Sequence, residues 1–147
     1  MLENQLRITS RAIISDSGRI LMCWNQKDEL FFLPGGGLEP DERAQACLIR
    51  ELQEELAFDA EIEAFLGILE IHYQFQSSAY QQFDLIFRVQ TPTGMLDGPV
   101  STQEAHLDFQ VVSINDLPSM PTFPSNLAAF VSDHQQGTTY LFEQWAR

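Results

Sequence analysis

Three glutamates, Glu51, Glu54 and Glu55, crowd one short segment, with Arg50 beside them, Glu42 upstream and Gly35, Gly36 and Gly37 further upstream. On a helix, where residues advance by about 100° each, these carboxylates fall within an arc of about 100°. That grouping is unfavourable by itself. Glu51 and Glu55 stand four apart, where like charges cost roughly a few tenths of a kcal/mol. Glu54 and Glu55 also occupy the last turn, where the helix dipole opposes negative charge. Two arrangements answer this: a solvated acidic face, or a face occupied by a positive group. Carboxylate oxygens suit a hard divalent cation, Mg²⁺ or Mn²⁺. Arg50 can pair with Glu42 or Glu54, and the glycines let the backbone turn tightly and approach a ligand. The segment lacks the Gly-Lys-Ser/Thr ending of a P-loop and the alternating Asp and Asn of an EF-hand.

The element that must carry these side chains is a helix over 43–56, with Ala44, Leu48, Ile49, Leu52 and Leu56 at three- and four-residue spacing and Asp41 as its N-cap. Ahead of it, 6–15 and 19–24 read as a hairpin across Asp16-Ser17-Gly18, and Phe31-Phe32-Leu33 as a short strand stopped by Pro34. Behind it, 61–75, 83–90 and 107–114 read as strands, 91–103 as a loop, and 125–134 as a second helix with Leu127, Phe130 and Val131 inward. The closing TTYLFEQW is ambiguous. Strands and helices alternate irregularly, which points to an α+β fold: a mixed β-sheet flanked by helices.

The chain has 147 residues, enough for one domain spanning 1–147 with a core of its own. Eight basic residues oppose 21 acidic ones, a formal charge of −13. That excludes binding nucleic acid by phosphate neutralisation and electrostatic attachment to a membrane surface. Cys23 and Cys47 read as buried thiols of a reducing compartment. With no basic-then-apolar leader and no long apolar run, a cytoplasmic protein is expected.

The order Gly36, five residues, Glu42, seven residues, Arg50-Glu51-Leu52-x-Glu54-Glu55, closed by Phe58, resembles the Nudix box of the Nudix hydrolases, of the MutT-like kind. The resemblance covers 36–58 and implies a Nudix-type α/β/α sandwich. It implies Mg²⁺-dependent (or Mn²⁺-dependent) hydrolysis of a phosphoanhydride in a nucleoside diphosphate linked to another group X. It further implies Glu51, Glu54 and Glu55 as metal ligands, with the carbonyl of Gly36 as a fourth. Arg50 and Glu42 become an orienting ion pair. A homodimer is also compatible with the family. One position departs: Ala57 stands where the family has glycine, so the end of the helix is the point to check.

If the family's general base is a box glutamate it is Glu54; if it lies in a later loop it is Glu104, with His106 and Asp108 close behind. An anionic substrate needs local cations. The chain has one lysine and seven arginines. Setting aside Arg43, Arg50 and Arg147 leaves Arg7, Arg11, Arg19, Lys27 and Arg88, of which Arg11 and Arg88, on expected strands, are assigned to phosphate. Tyr73, Phe75 and Tyr80 suit either base stacking or packing, and Glu70 with His72 either the substrate or a sheet edge. Family subgroup markers outside the box are missing, which leaves a nucleoside triphosphate or related nucleotide as substrate. The rival reading is a silent Nudix-fold nucleotide sensor; such modules often lose box glutamates, and this chain retains them.

Overall fold

The computed structural model describes residues 2–133 and 138–145. Its strands are β1 (Glu3–Ile13), β2 (Ser15–Asp16), β3 (Arg19–Asn25), β4 (Leu30–Phe32), β5 (Gly35–Gly37), β6 (Ile62–Phe75), β7 (Ser78–Val89), β8 (Leu107–Ser113) and β9 (Thr139–Gln144). The helices are α1 (Ala44–Leu56) and α2 (Leu127–Asp133), with short 3-10 turns at Met95–Asp97 and Ile114–Ser119. Five strands form a mixed sheet in the order β5-β1-β7-β6-β9, with β1 parallel to β7 and β6 parallel to β9. In the smaller sheet β3 pairs with β2 and β4 at its two ends and with β8 along its length.

Strand alternation builds two cores. Ala12 and Ile14 meet Leu48 and Leu52 of α1, together with Leu21 and Phe87. Ile13 points the other way, to Leu127, Phe130 and Val131 of α2, together with Ile20, Leu69 and Ile86. Helices therefore lie on opposite sides of the strands, the expected α/β/α arrangement.

Several local expectations are corrected. Segments 6–15 and 19–24 do not pair as one hairpin: only Ser15–Asp16 pairs with β3, while β1 turns to β5 and to the distant β7. Parallel pairing with β7 runs the whole eleven-residue length of β1, far more ladder than a local turn could supply. The strand expected over 83–90 starts five residues earlier, at Ser78. Gly35, Gly36 and Gly37 form an edge strand on β1 rather than a tight turn. Asp41 does not cap α1; its φ is +61°, and Arg43 is the N-cap, with no side-chain hydrogen bond. Helix 125–134 is shorter, Leu127–Asp133, and His134 lies outside the described residues. The ambiguous C-terminal segment is β9, an edge strand.

Candidate active site

Helix α1 is rotated further than its leucines suggest. Ile49 is exposed, whereas Cys47, Leu48, Leu52 and Glu55 are buried. At about 100° per residue, Glu55 lies between Ala44 and Leu48, inside the inward stripe. The acidic face is thus an inward one, directed at β5. Ala57 ends the helix in the left-handed conformation (φ 51°, ψ 41°), its amide donating to Gln53 O at 2.9 Å while the Phe58 amide donates to Leu52 O at 3.4 Å. Alanine stands at the position where the resemblance expects glycine, and it takes the left-handed cap conformation itself.

Glu55 is only 8% exposed, and its Oε2 has no hydrogen-bond partner. Burial pushes its carboxyl up to about 8; the Glu51 charge adds to this and Arg11 opposes it. Glu51 lies against the backbone of Gly36, where an added Cβ would stand 2.4 Å from the Glu51 carboxyl carbon. Arg50 joins these parts. Its Nε and Nη2 donate to the two oxygens of Glu42 at 2.7 and 2.9 Å, a bidentate pair. Its Nη1 donates to Glu51 at 3.1 Å and to Glu54 at 3.3 Å, and Nη2 reaches the Gly37 carbonyl at 3.3 Å. Hydrogen bonding from Arg50 holds the Glu42 carboxyl down at about 2. Glu54 remains 52% exposed on its side chain.

Among the described residues no group of three or more His, Cys, Asp or Glu side chains already converges on one point. The donor set still fits a hard cation. A buried carboxylate oxygen without a partner, a second carboxylate pressed on a glycine cradle, and a third free to turn from Arg50 present oxygen ligands of the kind Mg²⁺ and Mn²⁺ prefer.

Glu104 lies in a loop that docks on the end of α1: Gln103 N donates to the Glu55 carbonyl at 2.7 Å, and Thr102 Oγ1 donates to it at 3.5 Å. His106 lines the same cleft as Glu51 and Glu55; Asp108 is exposed on β8. Arg11 is brought to the cleft, its Nη1 donating to Leu33 O at 3.2 Å. Arg88 is not: it is exposed near the end of β7 and lines none of the clefts described below. Glu70 and His72 pair with each other at 2.7 Å, away from the box.

The cleft beside Gly36, Glu51 and Glu55 has a volume of about 430 Å³. A cavity of about 270 Å³ adjoins it, lined by Phe32, Tyr73, Phe123 and Trp145 among others. Arg7, Arg11, Asp28 and Phe32 line both, so the two are continuous. Polar groups fix the floor of the aromatic end: Tyr73 OH donates to Gln82 Oε1 at 2.8 Å, and Gln82 Nε2 donates to Asp84 Oδ1 at 2.7 Å. Arg7 stood among the candidate cations of the sequence but was not chosen, and Phe123 and Trp145 were not singled out. Arg7 carried a signal, since it shares strand parity with Arg11; the two aromatics arrive from the distant C-terminal part and carried none.

The family model of the Nudix domain matches residues 5–133. The chain belongs to the Nudix family. It is 32% identical over 56 residues to the "Putative 8-oxo-dGTP diphosphatase" of Bacillus subtilis (strain 168), covering 38% of each chain. The aligned stretch therefore spans well under half of that relative. Among solved structures, the MutT protein from Methanosarcina mazei Go1 superposes with a TM-score of 0.70 at 20% identity, covering 92% of this chain and 97% of that one. The MutT Nudix hydrolase from Burkholderia pseudomallei gives 0.67 at 21% identity, covering 84% and 95%. These two share the fold. Among the described residues no helix is long and apolar enough to cross a membrane.

Proposed function

We propose that this chain is a single-domain, MutT-like Nudix pyrophosphohydrolase of the cytoplasm. It hydrolyses a phosphoanhydride in a nucleoside diphosphate linked to X, with a nucleoside triphosphate as the favoured substrate. The observation that carries this reading is the continuous cleft, with the buried Glu55 carboxylate and the Gly36–Glu51 contact at one end and aromatic walls at the other. Arg7 and Arg11 stand between the two ends. They are spaced about 13 Å along β1, a distance suited to the phosphate chain of a nucleotide whose base stacks among Tyr73, Phe123 and Trp145.

Glu51, Glu54, Glu55 and the Gly36 carbonyl would hold Mg²⁺ or Mn²⁺. When bound, the cation neutralises charge on the phosphoryl oxygens and eases deprotonation of the attacking water. The protein's own residues do the rest. Glu42 anchors Arg50, and Arg50 holds Glu51 and Glu54 in place. Glu54 or Glu104 takes the proton from water, Arg11 orients the phosphates, and the bond to the leaving phosphate breaks as water oxygen joins phosphorus. Two phosphate-bearing products leave.

The test is a panel of nucleoside triphosphates and diphosphate derivatives with Mg²⁺, scored for nucleotide and phosphate release. The name of the Bacillus subtilis relative puts an oxidised guanine triphosphate first on that panel. Turnover lost in Glu55→Gln supports the site; nucleotide binding without turnover by the wild type establishes the sensor reading instead. Comparing Glu54→Gln with Glu104→Gln assigns the base, because only its loss removes the acidic limb of the pH–rate profile.

A further inference from the structure

Beneath the aromatic cavity runs an unbroken chain of buried polar side chains. Thr9 Oγ1 and Gln82 Nε2 both donate to Oδ1 of Asp84, at 2.5 and 2.7 Å, and Tyr73 OH donates to Gln82 Oε1 at 2.8 Å. Thr9, Gln82 and Asp84 are 0, 2 and 4% exposed. The strand registers set this chain across β1, β7 and β6: Thr9 is level with Asp84, and Gln82 stands two residues away on the same face. Their other neighbours are apolar, Leu69 level with Asp84 and Ile71 level with Gln82. An apolar floor would pack at least as well, because polar groups at this depth cost their desolvation even when every bond is made. Stability of the core is therefore a poor reason for Gln82 and Asp84.

The chemistry of the groups gives the chain a direction. A carboxylate only accepts, so Asp84 requires the nitrogen end of the Gln82 amide, which leaves Oε1 toward Tyr73 and makes the phenol the donor. Arg7, a donor only, stands beside that phenol and favours the same direction. Gln82 and Tyr73 line the cavity, whereas Asp84 does not. Each atom of the Gln82 amide keeps one bonding position in hand, a second hydrogen on Nε2 and a second lone pair on Oε1.

We infer that Asp84 is a positioning residue for base selection: by holding the Gln82 amide in one orientation, it makes the cavity discriminate oxo from amino nucleobases. The inference rests on the reading of this cavity as the base end of a nucleotide site. A glutamine amide reads a base edge through an adjacent donor and acceptor. Hypoxanthine presents a carbonyl and an N–H where adenine presents an amino group and a bare ring nitrogen; uracil and cytosine differ in the same way. An amide free to turn over fits both members of each pair. One held in place fits a single member and sets donor against donor with the other. Groups left unpaired in a buried site cost the wrong base about tenfold or more in affinity.

Two matched pairs test this: inosine against adenosine triphosphate, and uridine against cytidine triphosphate. Equilibrium binding in the presence of a chelator reads the discrimination without turnover, and kcat/KM with Mg²⁺ reads it again during catalysis. The wild type should favour one member by about tenfold or more in at least one pair. In Asp84→Asn the new NH₂ can donate to Gln82 Oε1, so the amide can turn over; the ratio should fall to within about threefold, with unchanged far-UV circular dichroism. Gln82→Met removes the reading amide and should do the same, and it serves if Asp84→Asn folds poorly. Tyr73→Phe leaves Asp84 to hold the amide and should keep the ratio. Equal binding within both pairs by the wild type, or a ratio unchanged in Asp84→Asn, overturns the inference. So does a uniform loss of affinity for both members, the mark of a purely structural role. Nucleotide bound with the expected preference but left intact would count against the hydrolase reading alone; hydrolysis without preference would count against this inference alone.

Discussion

Alanine substitution of the three consecutive glycines separates backbone need from ligand need. At Gly36 a methyl group would stand 2.4, 2.5 and 2.7 Å from the Glu51 carboxyl atoms. Ordinary contacts begin near 3.5 Å, so the carboxylate must retreat by about 1 Å. The backbone itself tolerates the change, and the tip of Glu51 is flexible, so Gly36→Ala should cost only about 1 kcal/mol of stability. Turnover should fall by roughly 10²-fold, because a displacement of that size in a charged site misaligns the groups it positions. At Gly37 the nearest atom is Ile8 O at 3.9 Å, an ordinary contact, and Gly37→Ala should act like wild type. At Gly35 the methyl would stand 2.0 Å from Ser10 O, on a residue with φ +138°. There β5 would have to leave β1, with a loss of about 3 kcal/mol or more. Urea melts, kcat/KM on the best panel substrate and Mn²⁺ binding followed by electron paramagnetic resonance read all three. Full turnover and Mn²⁺ affinity in Gly36→Ala would refute the reasoning. So would equal damage in Gly37→Ala, since close approach to Glu51 would then not be the cause.

Three further outcomes are expected. Below about pH 4.5 the Glu55 carboxyl is protonated in the folded and unfolded chain alike; between there and about 8 only the folded chain keeps the proton, so the metal-free protein loses stability as pH rises through that window. Glu55→Gln should flatten this slope, by up to about 3 kcal/mol at pH 7 in the presence of a chelator, and denaturant titrations of the two proteins with parallel slopes would contradict it. Ala57→Gly relieves a left-handed alanine worth on the order of 1 kcal/mol, so the melting temperature should rise by about 2–4 °C, and a fall would show that the cap is not strained. Arg50→Lys keeps the charge but cannot hold Glu42 bidentately, and a 10–100-fold drop in turnover with little change in circular dichroism is expected.

The spacing from Gly36 to Glu55 determined, with no tertiary information, that a helix carries three acids on one arc with Arg50 beside them; it left Arg50's partner open between Glu42 and Glu54, and in the structure Arg50 bonds both. Such information is local: a helix converts sequence separation into angle, so motif and geometry are nearly the same statement. The end of α1 was not legible in the same way: Ala57 in place of the expected glycine left it open, and the structure shows the left-handed cap there. Tertiary packing decided which part of that arc turns inward. Leucine spacing alone put Ile49 inside, yet β5 and β1 take the neighbouring side, burying Glu55 and leaving Ile49 in solvent. Packing likewise paired β1 with β7 instead of its near neighbour, carried Arg11 but not Arg88 to the cleft, and delivered Phe123 and Trp145 to its aromatic end. Apolar periodicity states that a strand has a face to hide; it does not name the partner, because pairing between distant strands is settled by the shape of the assembled core.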